Sequence, residues 1–523
     1  MAHNPTVLEE SRRVQTASGA AASDHGDAKT MQEPASEKVE SPPEKPYSIY
    51  TTSEKWLIVA IASAAALFSP LTANIYLPAI PTIAAAFDKS IELINLTVTA
   101  YMVLQGVSPM IWGTLADRLG RRPIFLACIL VLCLSCVGLA LVPTSDYWLL
   151  VLLRCVQAAG SASTVALGAG VIGDIATRAE RGTFFGLFSL GPQVPKFGPT
   201  FGPVIGGALA QRLGWRWIFW FLCIFSAACL AMMIALLPET LRTLVGDGSI
   251  IPSRFYRPLI PLVGHGRQGK GATMPPRPPF SNPLRILTYL DVVNLLIFNG
   301  IIYAIFYAVI ATISTSFEAT YSFLNETDIG LCYLAVGGGT IIGGLTTGRL
   351  LDRDYKHFKE KLVREAQANS EDPVRAQDIT KDENFPIEEA RMRMVPFQLA
   401  IYTLCVAGYG WCLQTKVNLA APLVLQIIFA ISGMALMNIV QTLLIDLLPA
   451  QGSSVTACNN IVRCGLGAAC VSVIDLIIKA LGEGWTYVLL AGLGFATAPM
   501  IWLAIWIGPR CRAKRRAKIQ DRA

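Results

Sequence analysis

Three basic residues lie inside long apolar segments of this chain, where a charged side chain is costly. They are Arg154, Lys196 and Arg463. A charge at the centre of a bilayer costs about 2.5–3.5 kcal/mol on insertion scales, and such residues usually face a bundle interior or a water-filled cavity. The acidic residues near these segments stand at segment ends. The membrane interior is therefore predicted to be positive, which favours a bound anion such as a carboxylate.

The elements that must position these cations are membrane-spanning helices. Of the 523 residues, 53% are hydrophobic and 15% are charged, whereas soluble domains carry about 25% charged residues. A spanning helix needs about 20 predominantly apolar residues. Twelve segments qualify, at 56–79, 92–112, 124–142, 148–172, 183–210, 217–237, 291–315, 327–348, 394–414, 421–447, 453–480 and 485–508. The predicted fold is therefore an all-α integral membrane protein with twelve transmembrane helices.

Long polar segments divide these helices into six and six. Two six-helix bundles are predicted, joined by a cytoplasmic linker, and a second polar insert interrupts the C-terminal bundle. The first residues are polar and predict a disordered tail, and the last residues form a basic tail. The resulting divisions are tail 1–55, bundle 56–237, linker 238–290, bundle 291–508 with insert 349–393, and tail 509–523.

The distribution of basic residues predicts the orientation of the helices. With the N-terminal tail placed in the cytoplasm, twenty-nine cations fall on the cytoplasmic side of the spans and five on the other. By the positive-inside rule, both termini are cytoplasmic. The opposite side carries the sequon "NET" at Asn325, a candidate glycosylation site in a secretory pathway. On that side Asp475 and Lys479 are one helical turn apart, which predicts a surface ion pair.

An internal duplication is visible in the loops that follow the second and eighth spans. "GTLADRLGRRP" covers 113–123 and "GRLLDRDYKH" covers 348–357. Both contain G-x-L-x-D-R followed by cations, at equivalent points of the two sets of six helices. Two parallel six-helix repeats, with a substrate site between them at mid-membrane, are a known transporter architecture.

Three motifs together resemble the major facilitator superfamily. "GTLADRLGRRP" is similar to its signature between spans two and three, and "RCVQAAGSA" at Arg154 resembles the span-four signature. "GPTFGPVIGG" at 198–207 matches the antiporter signature of span five. The resemblance covers about 50–510 and is to the fungal twelve-span drug:proton antiporter type, in the branch of the quinidine-resistance-type transporters and the citrate exporter. It implies two pseudo-symmetric halves working by alternating access.

The charged loop motifs are predicted to gate this cycle. Positive-inside anchoring explains the arginines but not the aspartates embedded among them. The resemblance implies a cytoplasmic latch that stabilises the outward-open state. Its predicted members are Asp117, Arg118, Arg121, Arg122, Asp352 and Arg353.

The fifth span is predicted to be a moving, closely packed helix. Its prolines recur every three or four residues, and its glycines form an adjacent stripe with a spacing of four. Small residues let membrane helices approach closely, and proline is tolerated beside a cavity or a neighbouring helix. A kinked helix with a purely structural role is the alternative. The predicted gating positions are Gly198, Gly202, Pro203 and Gly206.

The predicted substrate site combines the interior cations with polar neighbours. Lys196 and Arg463 lie on corresponding helices of the two halves, so they are expected to converge at mid-membrane. A structural arginine bonded to carbonyls and to Asn459 or Asn460 is the alternative for Arg463, and a packing role through Gln157 is the alternative for Arg154. The full predicted set is Lys196, Arg463, Arg154, Gln157, Asn74 and Asn459.

Several other classes of function are disfavoured. "GHGRQGK" at 264–270 begins like a phosphate-binding loop, but Gly271 replaces its Ser or Thr and no strand frames it, so ATP hydrolysis is unsupported. All four histidines lie in polar tails or loops, and all but one of the 13 cysteines lie in apolar segments. We therefore expect no metal, no cofactor, no enzyme activity and no nucleic-acid partner.

The sequence as a whole predicts a monomeric efflux transporter of the plasma membrane. The three cations, and the lack of interior carboxylates, favour export of a carboxylate-bearing metabolite or secondary metabolite over cationic drugs. Protons are the candidate coupling ion. The alternatives are a broad multidrug or toxin:proton antiporter, an importer, and a transporter-like membrane sensor.

Overall fold

The computed structural model describes residues 48–176, 197–250, 253–260, 283–369, 386–448 and 452–520. Over these residues the secondary structure is helical and contains no strand. The all-α fold predicted from the sequence is confirmed. Lys196 lies outside the described residues, as does the side chain of Asp352.

The first predicted span is broken into short helices. It opens with a capping box, in which Glu54 N donates to the Thr51 hydroxyl and the Glu54 carboxylate accepts from Thr51 N. Pro78 and Pro81 then each occupy the first turn of a new helix, where the missing N–H is tolerated. The pieces are α1 (Thr52–Ala66), α2 (Phe68–Asn74), a 3-10 turn (Leu77–Ala79) and α3 (Ile80–Phe87).

The remaining helices alternate in direction through the two halves. The N-terminal half continues with α4 (Ile91–Leu119), α5 (Arg121–Leu141), α6 (Tyr147–Ile175), α7 (Phe197–Leu213), α8 (Arg216–Leu236) and the short α9 (Arg242–Val245). Short 3-10 turns follow at Arg254–Tyr256 and Pro283–Thr288. The C-terminal half contains α10 (Leu290–Thr320), α11 (Glu326–Asn369), α12 (Ile387–Met392), α13 (Val395–Gln414), α14 (Ala420–Leu447), α15 (Gly452–Phe495) and α16 (Ala498–Gln520).

Helix α15 contains the eleventh predicted span and the first part of the twelfth, which continues into α16. The two are joined by a reversal at Gly482, whose φ of 78° and ψ of 169° are not helical. Contacts with α10 show that α15 runs parallel to α10 before the reversal. After it, the end of α15 and the start of α16 run antiparallel to α10. The contacts are Asn299 with Asn459, Tyr303 with Gly467, Thr312 with Tyr487 and Asn294 with Met500.

Ten described helices are long and apolar enough to cross a membrane. One of them, 454–515, contains the reversal and therefore holds two of the predicted spans. The predicted fifth span is described only over the 17 residues of α7. Eleven of the twelve predicted spans thus correspond to helical segments long and apolar enough to cross a membrane, and the fifth is described in part.

The bundle has two polar ends, which we name by their sequence features. The insert face carries the beginning of α1, the α4–α5 loop and the residues that follow α8, since the Tyr50 hydroxyl reaches Glu239 O and Arg121 N reaches the Glu239 carboxylate. The sequon face is the opposite end. It carries Asn325 and the reversal at Gly482.

One face of α7 packs against the first span within the N-terminal half. A Cβ atom on Gly206 would lie 1.9 Å from Ile75 O, and one on Gly202 would lie 3.3 Å from Ile75 N. Real Cβ atoms do not approach a backbone oxygen this closely, so position 206 requires glycine. The surroundings of Gly198 lie outside the described residues. The glycine stripe therefore fixes a contact inside one half.

The neighbouring face of α7 meets the other half of the molecule. A Cβ atom on Gly207 would lie 2.3 Å from Glu326 O, and one on Gly330 would lie 2.6 Å from Pro203 O. Two backbones that touch through glycine have few side-chain interlocks between them. Among the predicted gating positions of span five, Pro203 is therefore the one placed between the halves.

These two faces predict opposite consequences of adding one methyl group. Gly206→Ala should lower the melting temperature of the purified protein, because overpacking a closely packed contact costs about 1–3 kcal/mol. Gly207→Ala should melt nearly as the parent does but transport more slowly, because the halves can no longer close fully. Gly492→Ala is the matched control, since that position has no neighbour within 4 Å. Equal effects at positions 206 and 207 would contradict the distinction.

Candidate functional site

Arg154 is the largest fully buried side chain of the described chain, with no exposed surface. Its guanidinium lies 4.4 Å from the centroid of the Tyr76 ring and 4.5 Å from that of the Tyr101 ring. Aromatic faces attract a cation, most strongly where water is absent. The two rings therefore offset part of the cost of burying this charge.

The nitrogens of the same guanidinium differ in their hydrogen bonding. Arg154 Nη1 donates to Gln157 Oε1 at 2.5 Å and, at 3.4 Å, to Thr72 O. Nε and Nη2 have no hydrogen-bond partner in the described part of the chain. These two nitrogens form one side of the planar group, and paired N–H groups of arginine can bind both oxygens of a carboxylate. The structure thus leaves a bidentate donor unused inside the N-terminal half.

A chain of hydroxyls holds the rings around Arg154 in place. The Tyr101 hydroxyl lies 2.7 Å from both Thr72 Oγ1 and Ser161 Oγ. Asn74 is buried nearby on the first span, where its Nδ2 donates to Pro70 O at 2.7 Å. Its Oδ1 has no partner among the described residues. Arg154, Gln157 and the first span therefore form one polar cluster, as the sequence analysis grouped them.

Arg463 lies in the other half and is only partly buried. Its Nε and Nη2 donate to Asn460 Oδ1 at 3.1 and 2.9 Å, and its guanidinium lies 5.0 Å from the Tyr303 ring centroid. Asn460 in turn donates to Gln105 O of the N-terminal half at 2.9 Å. The contact with Asn460 is one that the structural alternative for Arg463 anticipated, and it places this arginine beside the junction of the halves.

Asn459 is turned away from Arg463. Its Oδ1 accepts from Asn299 at 2.8 Å, and its Nδ2 donates to Gln441 at 2.5 Å. Both partners belong to the C-terminal half, so this asparagine ties three helices of that half together. The predicted substrate set is therefore divided, with Asn459 apart from the two arginines.

Tyr307 is a candidate that the sequence analysis did not single out. Its hydroxyl is buried and has no partner among the described residues. It lies within electrostatic range of both Arg154 and Arg463, and its ring centroid is 5.5 Å from that of Tyr303. The two tyrosines stand one turn apart in the seventh span, a spacing that could have revealed a shared face.

At the insert face, one arginine joins two aspartates. Arg121 contacts Asp117 at 2.6 Å and, through Nε, Asp174 at 3.0 Å. The Asp117 side chain is 62% exposed and that of Arg121 is 14% exposed. A Cβ atom on Gly170 would lie 2.8 Å from the guanidinium, so that glycine makes room for it. The ends of α4, α5 and α6 are thus tied at one point.

Glu239, from the "LPETLR" segment after α8, caps α5. Its carboxylate accepts from Arg121 N at 2.8 Å and Arg122 N at 3.1 Å, and also from Thr240 N and Leu241 N. Free N–H groups at a helix N-terminus favour an anion. Burial, with Glu239 also contributing, raises the pKa of the neighbouring Tyr50 hydroxyl. Glu239 is not among the functional residues predicted from the sequence.

Arg122 is buried and bonded to backbone rather than to acids. It donates to the carbonyls of Leu237 at 2.8 Å, Ile234 at 2.9 Å and Phe255 at 2.8 Å. It therefore fastens the residues that follow α8 onto α5. Arg118, by contrast, is exposed at the end of α4.

The C-terminal half repeats the central ion pair. Arg391 Nε donates to Asp446 Oδ2 at 3.1 Å, between atoms that correspond to those of Arg121 and Asp174. Two further pairs lie nearby, Glu388 with Arg512 at 3.3 Å and Asp291 with Arg515 at 2.7 Å. Arg353 is exposed on α11. The duplication inferred from the loop motifs is therefore also present in three dimensions.

Asn325 is exposed at the sequon face and caps α11. Its Oδ1 accepts from Asp328 N at 2.9 Å, while the hydroxyl of Thr327, the third sequon residue, donates to Gln211 of the N-terminal half. Glycosylation of Asn325 stays a prediction.

Comparison with known proteins gives a consistent family assignment. Residues 62–472 match the sequence model of the Major Facilitator Superfamily. The chain is 38% identical to the MFS-type transporter phiD of a fungal species, over 90% of this chain and 71% of that protein. It is 35% identical to Citrate exporter 1 of Aspergillus niger, over 94% and 93% of the two chains. It is also 35% identical to the MFS antiporter QDR2 of Candida albicans, over 87% and 88%.

Solved structures agree on the fold. The Escherichia coli xylose transporter XylE, in a partially occluded inward-open conformation, matches with a TM-score of 0.59 over 86% of this chain and 98% of that one, at 13% identity. The human organic anion transporter MFSD10 matches with a TM-score of 0.52 over 86% and 99%, at 15% identity.

Asp117 provides a test of gating that is separate from folding. Asp117→Ala should reduce transport several-fold while leaving the melting temperature nearly unchanged, because an exposed ion pair contributes about 0–1 kcal/mol and Arg121 keeps Asp174. Asp174→Ala should instead lower stability, since it leaves a mostly buried arginine with only its exposed partner. Transport assays and melting curves on the same preparations separate the two. Normal transport by Asp117→Ala at normal expression would refute its gating role.

Glu239 provides a test of the cap. Glu239→Gln should lower the melting temperature, because the glutamine amide turns one N–H donor toward the N–H groups of α5 and leaves at least one of them unpaired, a loss of about 1–3 kcal/mol. Glu360→Gln, an exposed glutamate on α11, is the matched control. Melting curves that coincide for the two variants would show that the cap contributes little.

Proposed function

This chain belongs to the Major Facilitator Superfamily, and from that premise we propose that it exports a small organic anion by alternating access. The substrate class is a carboxylate-bearing metabolite or secondary metabolite. The proposed site lies between the halves and comprises Arg154, Arg463 and Tyr307, with Asn74 and Gln157 beside them. Lys196 is proposed as a third cation on sequence grounds.

This proposal rests on Nε and Nη2 of Arg154, which have no hydrogen-bond partner among the described residues. The cation is fully buried, and neither it nor Arg463 has a carboxylate partner among the described residues. A buried charge without a counter-ion is costly, and a bound anion would offset that cost. Two parallel N–H groups would also distinguish a planar carboxylate from a neutral ligand.

The arrangement of the halves supports alternating access to this site. At the sequon face, Thr82 of α3 contacts the Glu326 carboxylate of the opposite half, and Ser314 donates to Leu77 O at 2.8 Å. These contacts favour a state closed on the sequon side. The excess of cations at the insert face supports placing that face, with both termini, in the cytoplasm of a plasma-membrane protein.

One of the relatives supports the same substrate class. A protein named as a citrate exporter matches over more than nine tenths of both chains. Citrate carries several carboxylates, which would suit a site with two or three cations. Proton exchange is proposed by analogy with the relatives named as antiporters.

Export of aromatic drugs or toxins is the second candidate. The rings of Tyr76 and Tyr101 enclose Arg154, and those of Tyr303 and Tyr307 stand near Arg463. Such rings would also bind flat organic compounds, and relatives include proteins named as multidrug transporters. A membrane sensor, the third reading, predicts no flux.

The proposal can be tested in inside-out vesicles with labelled citrate, other di- and tricarboxylates, and a cationic dye. Arg154→Lys should weaken carboxylate transport by about tenfold or more, because loss of a bidentate charge-assisted bond costs about 1.5–3 kcal/mol. Lys196→Met should remove most transport, Lys196→Arg should retain part of it, and Arg463→Lys should be clearly impaired.

Lys89→Met is the matched control, because Lys89 is an exposed cation at the sequon face. Carboxylate flux that is insensitive to Arg154, Lys196 and Arg463 would overturn the site. Efficient dye transport without carboxylate transport would favour the multidrug candidate. Absence of any flux from correctly folded protein would favour the sensor.

A further inference from the structure

The two halves meet along a continuous strip between α4 and the first part of α15, which run antiparallel. Near the middle of the strip, Asn460 donates to Gln105 O at 2.9 Å. One residue further along α4, a Cβ atom on Gly106 would lie 3.1 Å from Cys464 Cβ. From Gln105 to Glu92 the strip extends toward the sequon face for about 20 Å, at 1.5 Å per helical residue.

The sequon end of the strip consists of two polar pairs. The Asn95 amide donates to the Asp475 carboxylate, and the Lys479 ammonium contacts the Glu92 carboxylate. Each pair joins one half to the other. The expected pairing of Asp475 with Lys479 on one helix is therefore wrong, because each finds a partner on α4. Asn95 and Asp475 are buried, at 1% and 9% exposure.

We propose that these two pairs, Glu92 with Lys479 and Asn95 with Asp475, form a sequon-face latch that must break each time the transporter opens on that side. The latch goes beyond the proposed function, because it does not depend on which compound is carried. Its members are positioning residues that act on the equilibrium between conformations.

The position of the pairs explains why they would control opening. The close approach at Gly106 and Cys464 leaves little room for movement at mid-bundle. If the halves rock about this point, their separation is largest at the far end of the strip, where the pairs lie. The other contacts between the halves named at this face are glycine contacts and hydrogen bonds, including those of Thr82 with Glu326 and Thr327 with Gln211, whereas the latch adds an ion pair.

The energetics suit a contact that opens and closes repeatedly. Closing the face removes Glu92 and Asp475 from water, and the pairs offset part of that cost. A partly exposed ion pair contributes little net free energy, and the Lys479 side chain is 67% exposed. Glu483 and Tyr487 of the following span also lie within electrostatic range of Asp475. Lys479 is thus the cation of an acidic cluster, and its removal should favour the open state.

Charge reversal tests the latch without a substrate. Ser314→Cys supplies a thiol that is buried where α10 meets Leu77 of the other half. Its exposure is the labelling by a bulky maleimide, in detergent, in excess of that given by the native cysteines of the parent. Lys479→Glu should speed this labelling by roughly tenfold or more, since Glu92 would face a second anion. Glu92→Lys should do likewise, and the double variant Glu92→Lys with Lys479→Glu should return toward the parent rate.

The matched control is Lys89→Glu, which makes the same charge change at an exposed position on the same face. In this variant, Ser314→Cys should be labelled at the parent rate. If Lys479→Glu yields no folded protein, Lys479→Gln and Asn95→Ala replace it, with a smaller increase expected. Parental labelling rates in all these variants would overturn the latch. Fast labelling that the double variant fails to reduce would also count against it.

Cross-linking tests whether the contact must break. A short, reducible bis-thiosulfonate joining Asn95→Cys to Asp475→Cys should stop transport, and a reducing agent should restore it, whereas variants with only one of the two added cysteines, and the parent with its 13 native cysteines, should be unaffected by the reagent. The assay substrate is whichever labelled compound the parent carries. Continued transport by fully cross-linked protein would overturn the proposal. If the parent protein exports no carboxylate but the variants show the expected changes in labelling rate, that result would count against the proposed function alone.

Discussion

Burial of a guanidinium away from water is the constraint around which the N-terminal half is organised. Arg154 is surrounded by groups from three spans: Thr72 and Tyr76 of the first, Tyr101 of the second, and Gln157 one turn away on its own helix. The two tyrosine rings contact the guanidinium through their faces, whereas Thr72 and Gln157 accept hydrogen bonds from one of its nitrogens. Since no acid neutralises it in the described structure, the charge would be available to an incoming anion, and the residues that surround it in the fold are also those of the proposed site.

At the insert face, a second set of charged residues holds the helices of each half together. The charges that surround the central ion pair differ in sign between the two halves. In both halves an arginine at the start of the third span binds an aspartate at the end of the fourth span. The pairs are Arg121 with Asp174 and Arg391 with Asp446. The residues after the sixth helix supply an anion in the N-terminal half, Glu239, whereas the last helix supplies cations in the C-terminal half. The arginine–aspartate pair is therefore the same in both halves, whereas the additional charged group beside it is an anion in the N-terminal half and a cation in the C-terminal half.

The fold could be predicted almost entirely from the sequence, because apolar length and charge asymmetry are local properties. The polar cluster around Arg154 and Gln157 could be predicted as well, since their spacing of three places them on one face. The partners of Asp475 could not, because pairing across the halves depends on the register of two helices about 380 positions apart. Tyr307 and Glu239 were missed for a related reason. A tyrosine in an apolar helix and a glutamate beside a proline become informative only when the neighbouring helices are known.

The kinds of contact within and between the halves indicate where the molecule can move. Inside the N-terminal half, Gly206 of α7 lies against Ile75 O with no room for a methyl group, and buried charges at the insert face cannot be exposed without cost. Between the halves, α7 meets α11 through close backbone contacts at Gly207, Pro203 and Gly330, with the hydrogen bond from the Thr327 hydroxyl to Gln211 beside them. A displacement that separates this second surface breaks few specific interactions, whereas one that distorts the first breaks several. Motion should therefore occur as rotation of two rigid bundles, which would expose the proposed anion site at their junction to each face in turn.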